Sequence, residues 1–259
     1  VNKSEDAFFD DINKRLEIFR KLGCTPQVLV NLHNYNVGFI DSLLNASHCQ
    51  EDLNVAGACI SYSWPSVGRS GNYTSDYAGI ERSEPEILDF LLKAAKLCGQ
   101  ENIHILADGI ACPGLIRVFQ RMATDQIGLK FGQCFLLVPD VDSGLFVDLA
   151  WVLHKYTTRT TIYTSDCDSS LKRSVKRHNA PRAGLFEPHT VVEGVDTVAI
   201  SGLETDDLHV EKKMHSYEIV SLFYDMYDLM KSNAPPSRRL HLSKKTDHGK
   251  TYWSLRKSK

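Results

Sequence analysis

The sequence predicts an α/β protein with a mostly parallel sheet covered by helices on both faces. Three observations carry that expectation. Runs of strand length recur along the chain, and they are apolar throughout rather than alternating, which marks strands buried on both sides. Amphipathic stretches of 3.6-residue period separate them and give repeated strand-then-helix units. The 259 residues, 42% hydrophobic and 24% charged, suffice for one large core. This composition excludes a mainly disordered chain, a collagen-like repeat and a small disulfide scaffold. No apolar run approaches 18 residues, which excludes a membrane-spanning helix.

Residues 1–26 read as a helical lead-in, and the chain opens on Val1 without a positively charged, apolar leader. Gln27 to His33 (QVLVNLH) is the first buried-type strand and Val55 to Trp64 (VAGACISYSW) the second. Glu84 to Cys98 follows as a helix, with Ile87, Phe90, Leu91, Ala94 and Cys98 on one face and Ser83 as the expected N-cap. Asn102 to Asp108 is a strand, and a helix runs from about Pro113 to Ala123. Proline is tolerated in a first helical turn because its missing N–H has no intrahelical acceptor. Then come a strand at 132–138, a helix at 145–156, a strand at 160–164, a helix at 169–177, a strand at 197–201 and a last helix at 217–231. The pattern stops at Ala234-Pro235-Pro236. The expected organisation is therefore one α/β domain over 27–232, followed by a basic, extended tail over 233–259.

The tail is where charge concentrates. From Lys231 to Lys259 nine basic residues face Asp247 alone, a net of +8 in a chain that totals −2, so the body is acidic. Arg238, Arg239, Lys244, Lys245, Lys250, Arg256 and Lys257, with Tyr252 and Trp253 among them, are the expected partner-binding residues. Positive charge mixed with aromatic rings suits RNA phosphates and bases or an acidic protein surface. Both partners stay open. The bland alternative is a solvated tail.

Seven cysteines, an odd number without any C-x-x-C pair, read as reduced thiols in an intracellular reducing compartment, cytosol or an organelle matrix such as the mitochondrion. The triplets Asn45-Ala-Ser and Asn72-Tyr-Thr are compatible with secretion but arise often by chance. No His/Cys group has metal-ligand spacing, and neither a metal nor a cofactor is expected.

In a parallel sheet, function collects at the carboxyl ends of the strands. There the sequence places His33-Asn34-Tyr35-Asn36, Ser63-Trp64-Pro65-Ser66, the sharp turn Ala107-Asp108-Gly109-Ile110-Ala111, Asp168, and His215 ahead of the last helix. Together these resemble an α/β-hydrolase family of unknown function, common in bacteria, whose members carry H-G-Y-N, S-W-P-S and A-H-S-M-G segments. The resemblance covers roughly Gln27 to Met230. It implies a nucleophile elbow between strand and helix, with Ala107 and Ala111 as the small flanks.

On that alignment the nucleophile position is Gly109, which has no side chain to attack a carbonyl. Asp108 replaces the family's elbow histidine, and Asn34 replaces the glycine of H-G-Y-N, in a loop whose backbone forms half of an oxyanion hole. The Ile110 N–H would form the other half. Asp168 and His215 match the triad acid and base. The resemblance thus implies a catalytically degenerate hydrolase domain kept as a structural or binding subunit of a larger assembly. The alternative is an active hydrolase of an ester- or amide-type small molecule, with a displaced nucleophile beside His215 and Asp168. A third possibility is a module that binds a ligand of unknown identity without turnover. Candidates for displacement are Asp108, in a shifted register, and Cys112, in the first helical turn. His33 and Trp64-Pro65 read as wall and loop supports. Asp140 and Asp142 read either as paired carboxylates for acid/base work or as a strand-end turn with an N-cap.

Overall fold

A computed structural model describes residues 3–69, 71–186, 189–200 and 217–255, with residues 217–219 described in backbone only. In chain order it contains α1 (Glu5–Lys21), β1 (Gln27–Leu32), α2 (Phe39–Asp52), β2 (Gly57–Tyr62), α3 (Tyr73–Arg82), α4 (Glu84–Cys98), β3 (Ile103–Asp108) and α5 (Ala111–Thr124). There follow β4 (Phe131–Leu137), α6 (Ser143–Tyr156), β5 (Thr157–Thr164), α7 (Ser169–His178), β6 (Val195–Ala199), α8 (Tyr217–Ser232), β7 (Leu242–Asp247) and β8 (Lys250–Leu255).

The strands form one sheet in the order β2-β1-β3-β4-β5-β6-β8-β7, parallel except for the β7–β8 pair. Alternate residues of each strand feed two cores. On one face Val28, Val30 and Leu32 of β1 join residues of α1, α4, α5 and α6. On the other, Leu29 joins residues of α2, α7 and α8. Continuous burial along β1, β3 and β4 is what a sheet covered on both faces requires.

The strand order reverses between β1 and β3, since β2 lies on one side of β1 and β3 on the other. In such sheets the crevice outside the carboxyl ends at the reversal is the place for a ligand. The loop after β1, which begins at His33, and the β3–α5 turn at Gly109 both open onto that place.

Two expectations are corrected here. Residues 242–255 are not a separate tail. They fold into a hairpin whose second strand pairs in parallel with β6, Val198 with Trp253 and Ala199 with Ser254. The reason is local: Asp247 and Lys250 pair across a two-residue loop, His248-Gly249, with φ of 44° and 76°. Two positive φ values match the twist of a tight hairpin. Ser83 also differs, because α3 runs almost directly into α4. Its backbone is helical and its hydroxyl donates to Gly79 O at 2.9 Å instead of capping α4.

Candidate functional site

β3 ends at Asp108 and α5 begins at Ala111, so Gly109 and Ile110 alone make the turn. Gly109 has φ 54°, in the left-handed region that glycine enters without steric cost. Both of its backbone groups are held: its N–H donates to Leu137 O at 3.0 Å, and its carbonyl accepts from Asp140 N at 3.1 Å. The elbow is thus locked onto the end of β4.

The space that a side chain at position 109 would need is filled from across the crevice. A Cβ on Gly109 would lie 2.0 Å from Asn34 Oδ1 and 2.3 Å from Asn34 Cγ. Asn34 is buried, and Oδ1 accepts hydrogen bonds from Tyr35 N–H at 2.8 Å and Ile110 N–H at 3.2 Å. One donor belongs to the loop after β1 and the other to the residue after the elbow position, the two sources of an oxyanion hole in this kind of fold. An amide oxygen of the chain itself sits where these two N–H groups converge.

Asp168 is buried and caps α7, its carboxylate accepting from Leu171 N–H at 2.7 Å. His215 lies outside the described residues, as do Arg256 and Lys257. Cys112 is fully buried, and its thiol donates to Ala107 O at 3.2 Å. Burial, reinforced by the Asp108 carboxylate, pushes that thiol well above its ordinary range, away from the thiolate that chemistry needs. Asp108 is itself buried at the end of β3.

Asp142 caps α6, accepting from Leu145 N–H at 2.9 Å. Asp140 is enclosed by donors: the Tyr73 hydroxyl at 2.8 Å, the Ser174 hydroxyl at 2.6 Å and Arg182 Nε at 2.9 Å. The two carboxylates therefore bind separate helices and do not work as an acid/base pair. His33 and Trp64 stack with ring centroids 4.8 Å apart, and the indole N–H donates to His33 O at 2.9 Å. Ser66 donates to Asp76 at 2.7 Å. Asp76 is a fully buried carboxylate that also accepts from Asn36 N–H at 3.0 Å and Val67 N–H at 2.8 Å. It ties the loop after β1 to the loop after β2. Nothing in its sequence neighbourhood singled it out.

The expected partner-binding residues divide. Arg238, Lys244, Lys245 and Lys250 are exposed. Tyr252 is half-buried against Phe186 and His189, and Trp253 packs at the margin of the second core. Arg239 is not available to a partner, because it is buried in an ion pair with Asp225 and reaches Asp196 at 3.2 Å. Tyr163 completes that cluster, donating its hydroxyl to Asp225 at 2.8 Å. Among the described residues no group of three or more His, Cys, Asp or Glu could hold a metal ion, and no helix is long and apolar enough to cross a membrane.

A parallel sheet with this reversal, an elbow after β3 and two converging backbone N–H groups together define an α/β-hydrolase fold. The chain belongs to the family described as alpha/beta hydrolase of unknown function (DUF900), which it matches over residues 5–224. Its fold is similar to that of an esterase from Pyrobaculum calidifontis, with a TM-score of 0.51 at 11% identity, covering 90% of this chain and 94% of that one. One of two fungal esterases from Rhizomucor miehei gives 0.49 at 14% identity, covering 81% and 76%. At such identities the likeness concerns fold alone, and the first comparison carries it. No curated protein matches the chain by sequence.

Proposed function

We propose that this α/β-hydrolase-fold domain is catalytically silent and serves as a structural or binding component of a larger protein or ribonucleoprotein assembly. The observation that carries the reading is the Asn34 amide oxygen seated on the N–H groups of Tyr35 and Ile110, beside an elbow residue without a side chain. A developing oxyanion would find both donors taken, and an acyl group would find no nucleophile. The buried Cys112 thiol does not supply the missing group. The same filling weighs against a retained small-molecule pocket at this point. An odd number of cysteines, with Cys49, Cys112 and Cys134 buried, supports a reducing intracellular compartment.

Two measurements test the reading. Hydrolysis of p-nitrophenyl acetate and butyrate by the purified chain should not exceed that of a His215→Ala variant. Turnover that this substitution abolishes overturns the silent-domain reading. Sizing of the native protein from its source should place it in a particle far above 29.1 kDa. Migration as a free monomer removes the assembly.

A further inference from the structure

We infer that the outer face of α7 is a binding surface for single-stranded nucleic acid, read through its phosphates. Lys172, Arg173, Lys176 and Arg177 are all exposed on this ten-residue helix, which contains no acid. They form two rows at i,i+4 spacing, Lys172 with Lys176 and Arg173 with Arg177. Like charges so placed repel one another, and among the described residues Lys172, Lys176 and Arg177 enter no ion pair. The opposite side of the helix is committed to the body through Leu171 and Ser174, so the charged rows cannot turn inward.

Both arginines are engaged by neighbouring side chains. Arg177 lies over the Tyr73 ring at 4.2 Å from its centroid. Arg173 donates to Ser170 Oγ at 2.9 Å and to the Tyr35 hydroxyl at 3.4 Å. A long side chain already held in place loses less freedom on binding an anion. Tyr35, half-buried and meeting Tyr73 edge-on with ring centroids 5.7 Å apart, places an aromatic side chain beside Arg173. Cations that track a backbone with an aromatic for stacking suit single-stranded nucleic acid better than a peptide rich in carboxylates. This inference rests on the reading of the domain as a binding component and assigns that role to α7, a place distinct from the hairpin.

The test uses the full chain and a fluorescein-labelled 12-nucleotide oligouridine RNA, with binding measured across a salt series. Four phosphate contacts on a single strand predict a slope of log affinity against log salt of about −3. Lys172→Gln/Lys176→Gln changes two exposed side chains outside the fold's contacts. It should weaken binding at least tenfold and bring the slope to about −1.4. Lys244→Gln/Lys245→Gln on β7 should leave both unchanged. No binding, a loss on the β7 variant instead, or equal binding of a labelled polyglutamate peptide overturns the proposal. The ester assay on the same sample reports separately on catalytic silence, so either reading can fail alone.

Discussion

Asn34 and Gly109 occupy one volume between them: the amide of the first fills the space that any side chain on the second would need, with Oδ1 2.0 Å from the missing Cβ. The two residues are 75 positions apart and meet only because β1 and β3 are neighbours in the sheet. Each makes sense in the presence of the other. Glycine leaves a hole, and asparagine brings an acceptor for the two N–H groups that line it.

Gly109→Ser should therefore not restore a hydrolase. The left-handed backbone alone costs a non-glycine residue about 1–3 kcal/mol, and the collision with Asn34 adds to it. Adding Asn34→Gly should recover part of the loss, so the double variant is more stable than the sum of the singles predicts by about 1 kcal/mol or more. Urea unfolding of the three variants measures this coupling. Additive losses would show that the two side-chain positions are independent.

Asn34→Ala removes the acceptor without opening a clash. Two buried N–H groups, of Tyr35 and Ile110, then lose their partner. The expected cost is about 1–3 kcal/mol for each group that water does not reach. Faster hydrogen exchange confined to the amides of Tyr35 and Ile110 would locate the effect.

Arg239 holds the last strands to the body. Arg239→Ala leaves Asp225 buried without its cation, and breaking such a pair costs about 3–5 kcal/mol. Replacing both, as Arg239→Met with Asp225→Leu, should return most of that stability, because the charges no longer need solvating. Limited proteolysis should cut the single variant within residues 236–255 and spare the double. Equal resistance of wild type and single variant would remove Arg239 from this role.

His104 gives the fold an acid limit. Burial, with the Lys231 charge adding to it, lowers its pKa to about 4, and Nδ1 accepts from Gln133 N–H at 2.9 Å, which requires the neutral ring. The unfolded chain takes up a proton near pH 6.5 and the folded one only near 4. The contribution is thus present above about pH 6.5 and is lost as pH falls through that window. By pH 5 the loss amounts to about 2 kcal/mol. Denaturant titrations at pH 7 and pH 5 should show this drop in wild type, and His104→Gln should lack that part of it.

What the sequence disclosed followed from burial. Helix α4 was legible to its ends because its apolar face is inward, and β1, β3 and β4 because both of their faces are. Helix α2 was not, because Phe39, Ile40, Leu43 and Leu44 are substantially exposed and obscure any inward stripe. The hairpin stayed hidden for the opposite reason. Edge strands are kept from adhering to other chains by charge, so Lys244 and Lys245 on β7, with Lys250 on β8, made two strands look like a basic, extended tail. At the site, the loss of a side chain at position 109 could be read directly. That Asn34 turns inward depends on the 3-D approach of two loops, which no local pattern encodes.

The hairpin has a consequence for how the protein is made. A ribosome delivers residues 242–255 after the six parallel strands they complete, so a nascent chain carries an open β6 edge and waiting carboxylates at Asp196 and Asp225 until Arg239 and the hairpin emerge. Chains interrupted shortly before that point carry all six parallel strands yet lack the means to close their sheet. They would present cellular quality control with an unfinished edge to recognise, and the emergence of the hairpin becomes the step that commits the domain to its folded state.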